Sequence, residues 1–263
     1  MSSVANYIKR IWTSRYFWLH LVNADLKYKF RRSRIGLLWT MINPLSLMLM
    51  ISIIFSVLFK TPLEEFAPYV YSGLVVWNYM LASTIIGSGA LISSEAYIKQ
   101  FNHPLMIYCI RANLVGLISF LIEIVGLLIW YSFINISNVL FLILQLFIVL
   151  PILFLFGLPL TIITSFLTLR YRDFGQLTAL LMQMIYFLSP IFLDISLFEQ
   201  NNLYLLLYYN PITHLMNLVR MPLLNGKFIC SVDVLFSVGF SFVLWIIALV
   251  IIRKMEKQSV FYF

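Results

Sequence analysis

The stretch VLFLILQLFIVLPILFLFGLPLTIITSFLTL, which runs from Val139 to Leu169, contains 31 residues and no charged side chain. The hydrocarbon core of a bilayer is about 30 Å thick, and an α-helix crosses it with about 20 apolar residues. A run of this length is therefore typical of a membrane-spanning helix. Its excess length, with Pro151, Gly157 and Pro159, further predicts a tilted or kinked helix, because proline removes a backbone hydrogen bond.

The composition extends this conclusion to the whole chain. Of its 263 residues, 62% are hydrophobic and 11% are charged, against about 45–50% and about 25% in an ordinary soluble domain. In lipid, a chain must satisfy its backbone as helices or as a closed barrel, and barrel strands alternate apolar with polar residues. Here the apolar runs are continuous, so the sequence predicts an all-α polytopic membrane protein.

Six apolar runs are long enough to cross the bilayer. They cover about residues 35–59, 70–92, 112–134, 139–169, 174–193 and 232–252. We expect residues 1–34 to form a cytoplasmic amphipathic segment and residues 35–263 to form one transmembrane domain. No short apolar region with a small-residue cleavage site precedes the first run, so no cleavable signal is expected.

Lysine and arginine are distributed unequally between the two sides of this arrangement. With the N-terminus inside, 15 of the 18 basic residues lie in the cytoplasm, and only Lys60, Arg220 and Lys227 lie outside. Cytoplasmic loops carry the excess of Lys and Arg in membrane proteins, so both termini are predicted to be cytoplasmic. Cys109 and Cys230 then lie on opposite sides and cannot pair within one chain.

The residues before the first run combine an apolar stripe with positive charge. Leu19, Val22, Leu26 and Phe30 recur at helical spacing on one face. The charge cluster comprises Lys27, Lys29, Arg31, Arg32 and Arg34. A basic amphipathic helix of this kind lies in the plane of the membrane interface. Membrane anchoring is one role, and contact with an anionic substrate or a partner is a second that stays open.

The segment between the fifth and sixth runs, from Asp194 to Ser231, is moderately apolar and interrupted by turn signals. Asn210-Pro211, Pro222 and Asn225-Gly226 divide it. Two external re-entrant helices of about ten residues would fit this pattern, with Pro211 at the start of the second.

Motifs for metal binding or ATP binding are missing from the sequence. His20, His103 and His214 have no acidic or cysteine partner at ligand spacing, so no metal site is expected and the three are predicted to be interfacial. No Gly-x-x-x-x-Gly-Lys-Ser/Thr run occurs, which excludes a P-loop. We expect no cofactor on this chain, and any ATP and Mg²⁺ must be bound by another one.

Glu123 is the only ionisable residue deep within a predicted span. A charge there costs about 2.5–3.5 kcal/mol on insertion scales, so the side chain should face protein or water. It is either a hydrogen-bonded packing residue or a pore or proton-relay group. A relay needs several such groups, which favours the packing role.

Aromatic residues are frequent near the outer ends of the predicted spans. They include Tyr69, Tyr71, Trp77 and Tyr79 in the second run and Tyr204, Tyr208 and Tyr209 in the external stretch. Rings at this depth are typical of the interfacial belt. Because aromatic faces also stack against sugars, these residues are alternatively candidates for guiding a sugar chain.

Four motifs, in order along the chain, resemble those of one transporter family. They are DLKYKFRRSRIGLLWTMINP at 25–44, YIKQFNHP at 97–104, RYRD at 170–173 and YNPITH at 209–214. The chain is similar in these motifs to bacterial type-two ABC transporter permeases, which export O-antigen, capsule or teichoic acid. The resemblance covers nearly the whole chain.

The resemblance implies roles for several segments. Residues Glu95 to Tyr108 would form the cytoplasmic coupling or gate helix that docks on an ATPase, centred on Lys99, Phe101, His103 and Pro104. A second cytoplasmic contact would comprise Arg170, Arg172 and Asp173. Residues Asp25 to Arg34 would form the interface helix, suited to a pyrophosphate-lipid headgroup and to the ATPase surface. The region around Asn210 and Pro211 would belong to re-entrant helices that close the pore.

The resemblance also implies an assembly. It predicts a homodimer with two cytoplasmic ABC ATPase subunits in the bacterial inner membrane, surrounded by lipid and moving a lipid-linked polysaccharide, with no nucleic-acid partner. The length and the lack of a large external domain favour O-antigen over capsule or teichoic acid.

Three other functions remain open. A drug or small-lipid exporter of the same superfamily would have a closed apolar cleft instead of an aromatic channel. An integral-membrane glycan-processing enzyme would need paired acids or a metal motif at the membrane interface. Acidic residues here are few and scattered, and the adjacent pair Glu64-Glu65 is external. A passive channel would need a selectivity ring, which the sequence lacks.

Overall fold

A computed structural model describes residues 4–29, 31–192 and 204–256, and all regular structure in these ranges is helical. The helices are α1 Val4–Thr13, α2 Arg15–Lys29, α3 Leu38–Phe59, α4 Leu63–Leu81, α5 Glu95–Gln100, α6 Met106–Ser132, α7 Ile136–Arg170, α8 Phe174–Leu188, α9 Tyr204–Tyr209, α10 Pro211–Asn225 and α11 Ser231–Met255. A π-helical turn at Ala82–Ile86 continues α4, and a 3₁₀ turn at Ile92–Ser94 precedes α5. The prediction of an all-helical chain is confirmed for these residues.

Five helices in the described ranges are long and apolar enough to cross a membrane. They are Leu38–Leu58, Leu63–Ile86, Met106–Ser132, Ile136–Arg170 and Ser231–Met255. The five correspond to the first, second, third, fourth and sixth predicted runs. These helices identify a multi-pass membrane protein.

The fifth predicted run, 174–193, forms a shorter helix than expected. α8 has 15 residues, which extend about 22 Å. It ends at Leu188 because Pro190 disfavours helical geometry at the residue before it, and Ser189 is accordingly extended, with ψ 142°. Residue 193, the predicted end of this run, lies outside the described residues.

α4 and α6 begin earlier than the predicted apolar runs, over stretches that contain charged residues. α4 begins at Leu63, before the predicted start at 70, and carries Glu64 and Glu65 in its first turn, where the helix dipole favours acids. α6 begins at Met106 and includes Arg111, which the hydropathy pattern placed in a loop. Charged residues in end turns therefore hide helix ends from a search for apolar runs.

The longest helix, α7, packs closely against its neighbours. Its 35 residues begin after Asn135, whose side chain accepts a hydrogen bond from the backbone N–H of Asn138 at 3.2 Å. A Cβ atom at Gly157 would lie 2.2 Å from the Tyr79 hydroxyl oxygen, so glycine is required for the contact between α7 and α4. Pro151 and Pro159 lie inside the helix, as predicted.

Two hydrophobic cores stabilise the bundle. The larger includes Tyr71, Tyr79, Phe120 and Leu153 and joins α3, α4, α6, α7 and α10. The smaller includes Leu21, Leu91, Ile107, Phe166 and Met255 and joins α2, α6, α7 and α11. The N-terminal helices are therefore part of the packed structure.

The predicted apolar stripe of the N-terminal segment matches the packed face only in part, since Val22 is buried and Leu26 is half-buried. The structure buries Leu21 and Val22, whereas Leu19 is 48% exposed. Phe30 lies outside the described residues. The segment also forms two helices instead of one, with a break at Ser14. The face that packs is therefore set by contact with α6 and α11, which the periodicity of the segment alone does not reveal.

Candidate functional site

The N-terminal helices, the loop before α6 and the end of α11 meet at one end of the bundle. We call this the basic end, and it comprises residues 4–34, 95–111, 170–173 and 252–256. Arg10 donates to the Asn102 carbonyl oxygen at 3.0 Å. The Tyr7 hydroxyl donates to Oε1 of Glu256 at 2.7 Å. The same carboxylate oxygen accepts from the backbone N–H of Leu105 at 3.3 Å.

The coupling segment, residues 95–104, forms only one short helix. α5 spans Glu95–Gln100, and Phe101 is extended, with φ −125° and ψ 129°. The predicted helix from Glu95 to Tyr108 is thus interrupted over residues 101–104, and Pro104 disfavours helical geometry at His103 within this stretch. Tyr108 belongs to α6.

The centre of the coupling segment divides into exposed and covered residues. Lys99 is exposed and Phe101 is 46% exposed, whereas His103 is half-buried and Pro104 is buried. Lys99 donates to Glu95 at 2.5 Å. Of these four residues, Lys99 and Phe101 are therefore the accessible ones.

The Arg170–Asp173 turn lies beside the coupling segment. Arg170, Arg172 and Asp173 are all exposed. The hydrogen bond from Lys99 holds the pKa of Glu95 below its ordinary value, and the nearby charge of Arg172 acts in the same direction. The two predicted cytoplasmic contacts are thus neighbours in the fold.

The basic cluster after α2 is accessible throughout. Lys27, Lys29, Arg31, Arg32 and Arg34 are exposed. α2 ends at Lys29, and Gly36, with φ +61°, lies in the turn that leads to α3. A concentration of cations at a helix C-terminus suits an anionic headgroup electrostatically.

Most of the candidate channel aromatics in α4 are core residues. Tyr71, Trp77 and Tyr79 are buried within the chain, and the Tyr79 hydroxyl donates to the Leu153 carbonyl oxygen at 2.8 Å. Tyr69 is half-buried. A sugar could not reach the three buried rings without unpacking the subunit.

Two aromatic residues of the external stretch remain accessible. Tyr208 and Tyr209 are 50% and 65% exposed at the end of α9. Their rings meet edge to face, with centroids 5.3 Å apart. The side chain of Tyr204 lies outside the described part of the structure.

Glu123 is buried against protein and not exposed toward lipid. Its Oε2 accepts a hydrogen bond from the Asn78 side-chain amide at 2.9 Å, and its backbone oxygen accepts one from the Tyr71 hydroxyl at 3.2 Å. This geometry connects α6 to α4. It agrees with the packing role that the sequence favoured.

At the opposite end of the bundle, His214 forms a buried pair that the sequence did not reveal. Its Nδ1 lies 2.6 Å from Oδ1 of Asp233, and its Nε2 lies 2.8 Å from the Tyr208 carbonyl oxygen. Burial alone would lower the pKa of His214, but the bonds to these two acceptors outweigh it and raise the pKa above its ordinary value. The sequence offered His214 no acidic partner at ligand spacing, and the structure supplies one in Asp233, which lies 19 residues further along the chain.

Arg220 joins three elements at the same end. It is buried in α10, although the sequence placed it in an external stretch. Its Nη2 donates to the Tyr69 and Ile191 carbonyl oxygens at 3.1 and 3.0 Å, and its guanidinium lies 3.7 Å from the centroid of the Tyr69 ring. The side chain thus ties α10 to α4 and to the residues that follow α8.

Specific residues cap both ends of α10. Asn210 is its N-cap and accepts from the Ile212 N–H at 3.0 Å, and Pro211 occupies the first helical position. Gly226, with φ +60°, ends it. α9 and α10 have six and 15 residues, where two helices of about ten were predicted.

Within residues 4–29, 31–192 and 204–256, the structure places no three His, Cys, Asp or Glu side chains close enough to hold a metal ion.

Comparison with known proteins identifies relatives of one kind. No protein-family model matches the chain. An O-antigen export system permease protein from Myxococcus xanthus is 23% identical over 217 residues, which is 80% of each chain. Two from Klebsiella pneumoniae are 21% and 23% identical over 241 and 242 residues, which is 90% of this chain and 91% of each relative.

These relatives confirm the resemblance that the four motifs indicated. They are similar to this chain over 80–90% of its length, so the similarity extends well beyond the motifs. The relatives are transport subunits by name, and the apolar helices of this chain agree with that character.

Proposed function

We propose that the chain is the permease subunit of an ATP-driven exporter that moves a lipid-linked polysaccharide, O-antigen, across the bacterial inner membrane. The observation that carries this proposal is the near full-length similarity to three O-antigen export permeases. The apolar helical bundle and the exposed coupling surface at its basic end support it.

The proposed topology has six crossings, with the basic end in the cytoplasm. α8 begins beside the Arg170–Asp173 turn, and the Leu188 carbonyl oxygen that ends it accepts a hydrogen bond from Asn210 at the opposite end. The polypeptide at α8 therefore connects the two ends of the bundle. The excess of Lys and Arg at the basic end supports a cytoplasmic position for both termini, with residues 35–263 as one transmembrane domain.

The transport path runs between two copies of the chain. Tyr71, Tyr79 and Phe120 are packed inside the described part of the single subunit, where a glycan would have to displace them. A twofold homodimer is the commonest way to form a path between identical chains. Two ATPase subunits, which hold the ATP and Mg²⁺, would bind below.

Exposed side chains at each end have roles in this arrangement. Lys99, Phe101 and the Arg170–Asp173 turn contact the ATPase. The cations at 27–34 attract the pyrophosphate of the lipid-linked substrate, and Tyr208 and Tyr209 contact sugars at the exit.

Deleting the gene and identifying the glycan that is retained inside the cell tests the proposal. O-antigen should disappear from the surface, accumulate as a lipid-linked form on the cytoplasmic side, and return with the wild-type gene. Retention of capsule or teichoic acid would show that this glycan, and not O-antigen, is the substrate. Normal export of every surface glycan would contradict the proposed function.

A second measurement tests the ATPase partner. The permease purified alone should not hydrolyse ATP, and a subunit with Walker motifs should co-purify with it. Phe101→Asp in the permease should abolish co-purification of that ATPase subunit. Phe133→Asp is the matched control, because Phe133 is 86% exposed at the opposite end and should leave co-purification unchanged.

A further inference from the structure

The coupling segment makes few contacts of its own that would hold it in one pose. α5 has only six residues, which is too short for an isolated helix to be stable. The residues from Phe101 to Pro104 after it are not helical. Its position must therefore come from the elements packed against it. The N-terminal arm, which we define as α1 and α2 (residues 4–29), supplies most of these contacts.

We propose that the N-terminal arm positions the coupling segment for the ATPase, with Phe17, Asp25 and Arg111 as the positioning residues. This inference rests on the proposed function. It assigns to the arm a mechanical role, distinct from membrane anchoring and from contact with a headgroup.

Phe17 is the aromatic centre of the junction. Its ring centroid lies 4.7 Å from that of His103, 5.6 Å from that of Phe101 and 6.4 Å from that of Tyr97. Three rings of the coupling segment thus surround one ring of the arm, at separations typical of favourable aromatic contacts. The exposed Phe101 is held from behind by this cluster.

An ion pair fixes the other side of the junction. Nε of Arg111 donates to Oδ2 of Asp25 at 2.5 Å, and Nη2 of Arg111 donates to Oδ1. Such a two-bonded pair defines direction as well as distance. Arg111 also lies 3.5 Å from the Ser94 hydroxyl, and its guanidinium lies 5.7 Å from the centroid of the Tyr97 ring. One side chain of α6 therefore contacts both the arm and the coupling segment.

Contacts of α1 complete the connection. Ser14 Oγ lies 3.1 Å from Nδ1 of His103, and Arg10 bonds to the Asn102 carbonyl. Burial, reinforced by the charge of Glu256, raises the pKa of Tyr7, which stays protonated and donates to that residue just beyond α11. A displacement of the coupling segment is thus transmitted through the arm to α6 and α11.

The test compares export with ATP hydrolysis in complexes of full-length permease and its ATPase. Asp25→Asn and Phe17→Ala should leave the ATPase bound and its hydrolysis rate within about twofold of wild type, while surface glycan per ATP hydrolysed falls about tenfold. Arg15→Gln is the matched control, because among residues 4–29, 31–192 and 204–256 the polar and ring contacts of Arg15 are with Trp12 and Tyr16, both within the arm. Its surface glycan per ATP hydrolysed should not change. A purely structural role would lower the amount of complex and leave the ratio per complex unchanged, which would overturn the proposal.

A charge-reversal experiment on the ion pair provides the second test. Asp25→Arg and Arg111→Asp should each lower the amount of surface glycan per ATP hydrolysed. The double variant should recover at least about half of the wild-type value, because it reforms the ion pair with the charges exchanged. A double variant no better than the worse single one would overturn the ion-pair role. If the wild-type chain fails to restore surface glycan to the deletion strain, the proposed function fails. If wild type restores it and Asp25→Asn does so equally, only this inference fails.

Discussion

At the scale of single residues, buried charged groups determine how the helices are joined. Glu123 bonds to Asn78, Arg220 to two carbonyl oxygens, and Asp233 to His214. Each bond links two elements of the bundle. An unpaired charge in such surroundings would be expensive, so these bonds specify which faces can pack.

Replacing Glu123 with glutamine tests whether its charge is used in transport. Glu123→Gln keeps an oxygen that accepts the Asn78 hydrogen bond, so surface O-antigen should stay within about twofold of wild type. Glu123→Leu removes the acceptor and should lower stability by about 1–3 kcal/mol, seen as a lower unfolding temperature in detergent. A folded Glu123→Gln protein that cannot export glycan would show that the acid itself takes part.

The sequence revealed the isolated residues of the candidate site better than their pairs. Lys99, Phe101 and Arg170 to Asp173 were found through motifs, and the structure places them together at the basic end. Asp25 and Arg111 are 86 positions apart, and His214 and Asp233 are 19 apart. Hydropathy and periodicity report on local segments, so they contain no signal for such distant partners. A charged residue within an end turn, such as Arg111 or Asp233, was the available hint.

At the scale of elements, α10 depends on how its C-terminus is closed. Gly226 adopts φ +60°, and a Cβ there would lie 2.7 Å from Oδ1 of Asn138. The Asn138 amide in turn donates to the Leu223 carbonyl oxygen at 2.8 Å. The turn after α10 therefore docks on the start of α7, and only glycine fits both the backbone and the space.

Gly226→Ala should destabilise this junction. The left-handed conformation costs about 1–2 kcal/mol for a residue with a Cβ, and the contact with Asn138 adds to it. The unfolding temperature in detergent should fall. Gly239→Ala is the control, because nothing lies within 4 Å of a Cβ at that position of α11, and its unfolding temperature should be unchanged or slightly raised. Equal effects of the two substitutions would contradict the role of Gly226.

Helix type was predictable from sequence and helix ends were less so. Continuous apolar runs indicated α3, α6, α7 and α11 because lipid permits few alternatives. The π turn at Ala82–Ile86 and the short α5 were not foreseen. Their lengths depend on contacts with α7 and the N-terminal arm, such as the bond from Thr161 to the Ser83 carbonyl oxygen at 2.8 Å.

At the scale of the whole molecule, the middle of the bundle and the basic end are stabilised by different kinds of contact. The larger core fills the middle of the bundle with buried aromatic side chains. The basic end is held by the smaller core, to which Leu21 of the arm belongs, and by hydrogen bonds and the partly exposed Asp25–Arg111 ion pair. A motor that pushes on this end would therefore move the arm, α6 and α11 before it disturbs the larger core.

The orientation in the membrane can be tested with the two cysteines of the chain. Cys230 is exposed just before α11, at the end of that helix opposite the basic end, and Cys109 is buried. If the basic end is cytoplasmic, a membrane-impermeant maleimide should label Cys230 on intact spheroplasts, and Cys230→Ser should abolish the label.

A cysteine at the basic end supplies the reverse control. Lys254 is exposed in the last turn of α11. Lys254→Cys, combined with Cys230→Ser, should be labelled only after the membrane is opened, because 15 of the 18 Lys and Arg residues lie on the side that their distribution predicts to be cytoplasmic. If this variant is labelled in intact spheroplasts and Cys230 of the wild type is not, the orientation in the membrane is the reverse of the predicted one. The coupling surface would then face away from any ATP-binding partner, and the proposed export mechanism could not operate.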